Sequence, residues 1–280
     1  MGYPMAGHLA RAGHDVTVFN RTTAVARRWV SEHGGEVAES PAAAAAGTAF
    51  VFTCVGADDD VRAVTTAYDG ALATMASGSV LVDHTTASAE LAREVASAAA
   101  AKGVGFVDAP VSGGQAGAQN GALSVMCGGD AETVAQAEPV MQAYAHTVTH
   151  QGAAGNGQLT KMVNQILCAA SIQGAAEALA FAERAGLDPD TVLAAVTKGA
   201  ANSWYLENRG ATMIRDEFDF GFAVDWMRKD LRLCLSQAMS IGAQLPNTAI
   251  VEDELRRMQE RGAHRLDATS VIRLFRGETA

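Results

Sequence analysis

The chain has 280 residues, of which 49% are hydrophobic and 19% charged, as in a folded rather than a disordered protein. Its formal net charge of -10 at pH 7 argues against a nucleic-acid partner, which would require a basic surface. The longest weakly polar stretch, residues 41–56, is shorter than a membrane span of about 20 apolar residues, and the N-terminus lacks a signal-peptide pattern, so we expect no membrane partner.

The first half of the chain alternates helix-like and strand-like segments. Strands that are apolar throughout and separated by helices predict a parallel sheet that is covered on both faces, which is a doubly wound α/β domain. Strands are predicted at residues 16–19, 36–38, 49–55, 79–87, 104–111 and 123–129, and helices at residues 22–34, 58–68 and 88–103 and from residue 2 onward.

The second half is predicted to be helical. About thirty residues from 159 to 186 show helical periodicity without a breaker, a length of roughly 45 Å. The periodicity returns in residues 189–199, 223–242 and 248–262, with no convincing strand. We therefore predict a doubly wound domain over residues 1–152 and an all-helical domain over residues 153–280.

The start of the first helix and the end of the next strand carry the signals for a dinucleotide. In a doubly wound sheet, a glycine-rich turn at a helix N-terminus holds the pyrophosphate, and Gly2 matches the last glycine of such a turn. Where an acidic residue usually binds the ribose of NAD, this chain has Asn20, Arg21 and Thr22. A charge-assisted contact from Arg21 to a 2′-phosphate favours NADP over NAD, whereas stacking of Arg21 on adenine permits either.

Two further segments are candidates for binding a substrate. The glycine-rich stretch 108–123 follows a strand and includes Ser112, so it predicts either a carboxylate-binding loop or a tight turn. Helical spacing places Lys161, Asn164 and Gln165 on one face of an otherwise apolar helix. The alternative for Lys161 is an ordinary solvated lysine on the protein surface.

Other kinds of site are not indicated. His146 and His150 stand in an alternating, strand-like segment, so we expect no metal site, and no GxSxG nucleophile motif occurs. The four cysteines are widely spaced, which favours reduced thiols and a cytoplasmic protein.

Taken together, these ordered motifs resemble the β-hydroxyacid dehydrogenase family, which includes 3-hydroxyisobutyrate dehydrogenase and tartronate semialdehyde reductase. The segments that carry the resemblance are MGYPMAGHLARAGHDVTVFNRT, CVG, VDHTTAS, DAPVSGGQAGAQNGAL, GNGQLTKMVNQ and WMRKDLRLCL. The resemblance spans the whole chain. It implies a Rossmann-type first domain, NADP or NAD as cofactor, a small carboxylate as substrate, and a homodimer or homotetramer.

The resemblance also implies roles for individual residues. Hydride transfer requires one proton to be managed at the alcohol oxygen, and Lys161 matches the family's catalytic lysine. The other implied positions are Asn164 beside it in catalysis; Ser112, Gly113, Gly114 and Gln165 for the substrate; and Gly2, Tyr3, Pro4, Met5, Asn20, Arg21, Thr22, Val55, Gly56, Thr86 and Lys229 for the cofactor.

Several alternatives stay open. Many family members have two asparagines where this chain has Asn164 and Gln165, a pair that resembles the tartronate semialdehyde reductase branch and leaves succinic semialdehyde or glyoxylate as further substrates. The helical part is shorter than expected for a 6-phosphogluconate dehydrogenase, and imine reductases usually lack the lysine. A non-catalytic cofactor-binding module would need no proton donor.

The first residues, MGYP, resemble the tail of a family GxGxMG turn. We therefore expect a strand and roughly ten residues upstream of the sequence given. A chain without them would bind nucleotide poorly, because two of the three glycines of the turn would be absent.

Overall fold

The computed structural model describes residues 1–277 and divides into two compact units, residues 1–161 and the residues from 162 onward. The first unit contains helices α1 (Gly2–Arg11), α2 (Thr23–His33), α3 (Pro41–Ala45), α4 (Asp58–Thr65), α5 (Ala89–Ala100), α6 (Gly114–Gln119) and α7 (Ala131–Met141). Its strands are β1 (Thr17–Val18), β2 (Glu36–Val37), β3 (Phe50–Thr53), β4 (Val80–Asp83), β5 (Gly105–Asp108), β6 (Val111–Ser112), β7 (Leu123–Gly129) and β8 (Ala145–His150).

The strands form two sheets. β1 and β2 pair in parallel, and the other six form a sheet in the order β3-β4-β5-β7-β6, with β8 beside β7. β3, β4 and β5 are parallel as predicted, but β7 is antiparallel to both β5 and β6, so the prediction of a uniformly parallel sheet is wrong. The chain between β6 and β7 contains only the short α6, and a parallel crossover normally needs a dozen or more residues.

The central strands are buried on both faces. In β4, Val80 and Val82 belong to one apolar cluster, whereas Leu81 belongs to a second cluster on the opposite face. Successive residues of a strand point to opposite faces, so helices must cover both sides of the sheet. The prediction of a doubly wound domain from uninterrupted apolar strands is thereby confirmed.

The second unit is helical. Helix α8 (Asn156–Arg184) begins in the first unit and continues into the second. Up to residue 277, five α-helices follow: α9 (Pro189–Val196), α10 (Trp204–Ile214), α11 (Val224–Ile241), α12 (Pro246–Glu260) and α13 (Ile272–Arg276). Their core includes Ile172, Leu179, Met227, Leu231 and Leu255. α8 is long and apolar enough to cross a membrane by length and composition, yet half of its most apolar window is buried in the protein, as in core helices of soluble proteins.

The end of β5 is fixed to the start of α8 by a buried carboxylate. Asp108 accepts hydrogen bonds from the backbone N–H groups of Gly155 at 2.7 Å and Gln158 at 2.9 Å. The first N–H groups of a helix have no partner within the helix, and a negative charge is favourable there. A Cβ on Gly157 would lie 2.5 Å from the backbone oxygen of Met126 and still closer to that of Asp108, so only glycine permits this approach.

We expect Gly157→Ala to lower the free energy of unfolding by about 3 kcal/mol or more, because the new methyl group would meet backbone atoms that cannot move aside. Gly174→Ala on the same helix is the matched control, since a Cβ there would meet nothing within 4 Å. That variant should gain up to about 1 kcal/mol from helix propensity. Urea unfolding of both variants checks the pair, and equal effects would contradict the close approach.

Candidate active site

Polar side chains stand in register at the carboxyl ends of the three parallel strands. Thr53 of β3 lies opposite Asp83 of β4, which in turn lies opposite Asp108 of β5. The Thr53 hydroxyl donates to Asp83 Oδ1 at 2.7 Å, and both carboxyl groups are buried. Ligands of doubly wound sheets bind at this edge, which makes it the candidate site of the first unit.

Burial perturbs both carboxyl groups. Desolvation raises the pKa of Asp83 to about 6, although donors on Thr85 and Thr53 act in the opposite direction. Desolvation likewise raises the pKa of Asp108 to about 6, although the backbone donors of Gly155 and Gln158 act in the opposite direction, and the neighbouring charge of Asp83 adds to the rise. Perturbed carboxyl groups of this kind are concentrated at functional sites, although structural networks also contain them.

The loops after β3 and β4 are joined to each other and to α8. Val55 donates its backbone N–H to Thr85 Oγ1 at 3.0 Å. The Gln158 side chain donates from Nε2 to the Thr85 backbone oxygen at 2.7 Å and accepts at Oε1 from the Ala87 N–H at 3.0 Å. The Gln158 amide therefore binds the backbone on both sides of Thr86, which is a predicted cofactor contact. We call Thr53, Asp83, Thr85, Asp108 and Gln158 the carboxyl-edge network.

His84 connects the end of β4 to the segment after β5. Its Nδ1 lies 2.6 Å from the Ala109 backbone oxygen and its Nε2 lies 2.8 Å from the Tyr144 hydroxyl. Burial lowers the pKa of His84 to about 4, so the ring is neutral near pH 7. A carbonyl oxygen can only accept, so Nδ1 carries the proton and Nε2 accepts from Tyr144.

The first turn of α1 offers backbone rather than side chains to a cofactor. A Cβ on Gly2 would lie 3.2 Å from Cys54 Cβ, which places the start of α1 against the end of β3. The Tyr3 hydroxyl donates to Glu32 at 2.6 Å, and the Met5 side chain is buried in the core. The Met5 side chain is thus not accessible to a cofactor, and Pro4 has no N–H to donate. The predicted cofactor contacts of Tyr3 and of the main chain stay predictions.

The segment after β1 is exposed. Asn20 Oδ1 accepts from the Thr22 backbone N–H at 2.8 Å, which shapes the turn before α2. The Arg21 side chain is 90% exposed, and its Nη1 lies 3.3 Å from Asp60 Oδ1. Among the described contacts, this ion pair with α4 is the one that connects Arg21 to the loops at the carboxyl edge of the sheet.

The predicted substrate loop follows β6. Ser112 pairs with Ser124 of β7, and Gly113 and Gly114 have φ angles of 125° and 61°, in the left-handed region that favours glycine. Both glycines are exposed, so their backbone is accessible to a ligand. The geometry fits the carboxylate-binding loop implied by the resemblance and also the tight turn.

Lys161 is buried, with 8% of its surface exposed, so the alternative of a solvated surface lysine is wrong. Further along α8, Val163 and Leu167 are 57% and 63% exposed. The polar side of this stretch of helix is therefore the enclosed one. The Asn164 amide donates to Gln165 Oε1 at 2.8 Å and to Cys168 Sγ at 3.4 Å.

In the second unit, a buried carboxylate joins two of the predicted site residues. Gln165 Nε2 donates to Asp230 Oδ2 at 2.7 Å, and Lys229 Nζ lies 3.1 Å from Asp230 Oδ1. Sequence reasoning missed Asp230, although it stands next to Lys229 in the RKDL segment. It also missed Asp108 and Gln158. Both could have been found, because they stand inside the DAPVSGG and GNGQLTK segments that contain predicted site residues.

Comparisons with known proteins show which family and fold the chain is similar to. Residues 1–152 match the family model of the NAD binding domain of 6-phosphogluconate dehydrogenase, and residues 155–275 match that of NADP-dependent 3-hydroxyisobutyrate dehydrogenase. An uncharacterized oxidoreductase of Shewanella frigidimarina is 51% identical over 97% of this chain and 94% of its own. The 2-hydroxy-3-oxopropionate reductase of Escherichia coli is 33% identical over 97% and 92%. The structure of Mycobacterium tuberculosis 3-hydroxyisobutyrate dehydrogenase with L-serine is 32% identical, with a TM-score of 0.89 over 99% and 96%.

A Rossmann-type domain followed by a helical domain, both matched by NAD-binding models, defines an NAD(P)-dependent oxidoreductase. The chain belongs to the β-hydroxyacid dehydrogenase family, which confirms the resemblance seen in its sequence. Among residues 1–277, no three His, Cys, Asp or Glu side chains come together as metal ligands would.

The pKa of Asp83 predicts a pH-dependent stability. The unfolded chain releases this proton near pH 4, whereas the folded protein keeps it to about pH 6. The contribution of Asp83 to the free energy of unfolding is thus fully present below about pH 4 and is lost as the pH rises through 6, by up to about 3 kcal/mol.

Asp83→Asn keeps an oxygen that accepts from Thr53 and Thr85 and removes the titration. We expect the variant to gain stability relative to the wild type as the pH rises from about 4.5 to 7.5. Chemical unfolding of both proteins at each pH measures the difference, in which the contribution of His84 cancels. The loss of the Asp83 charge also lowers the pKa of Asp108, which adds to the gain of the variant at higher pH. A difference that does not change with pH would contradict the buried titration.

Proposed function

We propose that the protein interconverts a short β-hydroxy acid and its semialdehyde by hydride transfer with NAD(P), as 3-hydroxyisobutyrate dehydrogenase does. The observation that carries the proposal is the burial of Lys161 on α8, one turn beyond the residues that the carboxyl-edge network binds. A buried lysine that follows an anchored helix turn is suited to proton transfer at a fixed point. L-serine, with which the Mycobacterium tuberculosis relative was solved, is itself a β-hydroxy acid.

The residues of the first unit fit a nicotinamide dinucleotide. The close approach of Gly2 to Cys54 leaves backbone at the start of α1 for a pyrophosphate, and the loops after β3 and β4 lie at the ligand-binding edge of the sheet. The cofactor supplies the hydride chemistry, accepting hydride from the alcohol carbon or returning it to the carbonyl carbon.

In reduction, protonated Lys161 donates a proton to the carbonyl oxygen as that oxygen becomes an alcohol. In oxidation, neutral Lys161 accepts the proton that the alcohol oxygen releases, so atoms and charge balance in both directions. The exposed backbone of Gly113 and Gly114, with the Ser112 hydroxyl, holds the substrate carboxylate.

We expect Lys161→Met to lower kcat by about 100-fold or more, because positioned acid–base groups contribute that much. The Kd for the cofactor should change by no more than about threefold, since a methionine keeps the packing volume of the stem. Lys102→Met, at an exposed lysine of the same unit, is the control. Absorbance at 340 nm gives kcat, and unchanged turnover in Lys161→Met would remove the lysine from the mechanism.

A panel of substrates tests the reaction itself. We expect turnover of 3-hydroxyisobutyrate, while Asn164 and Gln165 and the similarity to the Escherichia coli reductase favour tartronate semialdehyde as the second candidate. Succinic semialdehyde and glyoxylate complete the panel. Cofactor binding without turnover of any member would instead support a non-catalytic cofactor-binding module.

For the cofactor, we propose a preference for NADP over NAD. The exposed guanidinium of Arg21 at the end of β1 stands where doubly wound domains bind the adenosine ribose, and it matches a 2′-phosphate in charge. Its ion pair with Asp60 is exposed, and such pairs are weak enough to exchange for a phosphate.

Arg21→Ala should raise the KM for NADP by about tenfold, because a charge-assisted hydrogen bond is lost, and leave the KM for NAD within about twofold. Arg11→Ala is the matched control, since Arg11 ends α1 before β1 begins and so lies away from the carboxyl edge of the sheet. Steady-state kinetics with both cofactors decide the matter. If the ratio of the KM for NADP to the KM for NAD were the same in Arg21→Ala as in the wild type, Arg21 would not bind the 2′-phosphate.

A further inference from the structure

We propose that Gln158 is a positioning residue, which holds the first turns of α8, and with them Lys161, at a fixed place relative to the loop that contains Thr86. The inference rests on the proposed function of Lys161. It adds a residue that acts through the backbone and has no contact with the reacting atoms.

The Gln158 amide bridges two backbone groups of one loop. It donates to the Thr85 carbonyl at 2.7 Å and accepts from the Ala87 N–H at 3.0 Å, so it holds the chain on both sides of Thr86. The side chain is 1% exposed, and hence water cannot replace either bond. Its own backbone N–H donates to Asp108 at 2.9 Å. Gln158 therefore joins the loop after β4, the end of β5 and α8.

Lys161 follows Gln158 by three residues, so the two side chains leave the same side of the helix in successive turns. A shift of the first turn of α8 moves Lys161 with it. Proton transfer is sensitive to such shifts, since a displacement of about 1 Å can lower a rate by about 100-fold. The bonds to Asp108 attach the first turn of α8 to β5. The bonds of the Gln158 side chain attach the same turn to the loop that contains Thr86.

The bridge requires both a donor and an acceptor, and only some side chains supply them. Methionine has the length of glutamine but would leave the Thr85 carbonyl and the Ala87 N–H without partners. An ionised glutamate accepts from Ala87 but places negative charge against the Thr85 carbonyl. A protonated glutamic acid restores both bonds, because its hydroxyl donates to Thr85 and its carbonyl accepts from Ala87.

This difference gives a pH signature. We expect Gln158→Met to lower kcat by about tenfold or more while the cofactor Kd stays within about threefold. For Gln158→Glu, the ratio of its kcat to that of the wild type should rise as the pH falls from about 8 to 5.5, as the buried carboxyl becomes protonated. Gln173→Met is the matched control, since Gln173 is also buried on α8 and donates to Glu177 of the same helix.

A second readout needs neither cofactor nor turnover. Hydrogen exchange of the Ala87 amide in the wild-type protein should be slow, become faster in Gln158→Met and stay slow in Gln173→Met. A kcat ratio for Gln158→Glu that does not change with pH would overturn the proposal. The proposal would also be overturned if Gln158→Met had the same kcat as Gln173→Met. If Gln158→Met does not fold, the pH profile of Gln158→Glu decides between the outcomes.

The outcome is separable from that of the proposed function. If Lys161→Met loses turnover while the Gln158 variants keep that of the wild type, the positioning role alone is wrong. If Lys161→Met keeps full turnover, the lysine mechanism is wrong, whatever the Gln158 variants do to exchange at Ala87.

Discussion

The hydrogen bonds from the first turn of α8 to the Asp108 carboxylate are the constraint on which the candidate site depends. They fix the start of α8, a helix of 29 residues, against the end of β5. Gly157 allows this turn to lie directly on backbone oxygens, so no side chain separates the helix from the strands. Asp108 is paired with β4 on one side and with β7 on the other and is buried, and core strands of this kind open least readily in a fold. Lys161 lies one turn of helix beyond Gln158, so these bonds also limit the movement of Lys161.

The same edge contains two carboxyl groups whose burial is unfavourable to their charged forms. Asp83 and Asp108 lie in register on adjacent strands, and each meets donors from a hydroxyl or from backbone N–H groups. These donors only partly offset desolvation, which is why both pKa values stay near 6. A fold selected for stability alone would place apolar residues there. The retained carboxyl groups hold Thr53 of β3, the loop after β4 and the start of α8 in directions that apolar packing, which is non-directional, could not specify.

Much of the fold could be predicted from the sequence, because uninterrupted apolar strands and long helical periods are local signals. The direction of β7 could not, since it depends on how the chain between Ser112 and Leu123 returns along the sheet. The burial of Lys161 was equally out of reach, because a lysine on a helix has the same local pattern whether its face meets water or protein. Gln158 was missed since both of its partners lie more than seventy residues away, at Thr85 and Ala87.

The helical unit gives a physical reason for the glutamine at position 165, where many family members have a second asparagine. Both atoms of the Gln165 amide are engaged within the unit, one by Asn164 and the other by Asp230. Asp230 lies on α11 beside Lys229, with which it forms an ion pair. Because glutamine is one methylene longer than asparagine, it reaches this carboxylate from α8, which gives its length a partner within the helical unit. Gln165 thus links α8 to α11 directly beside Asn164, the residue predicted to act with the catalytic lysine.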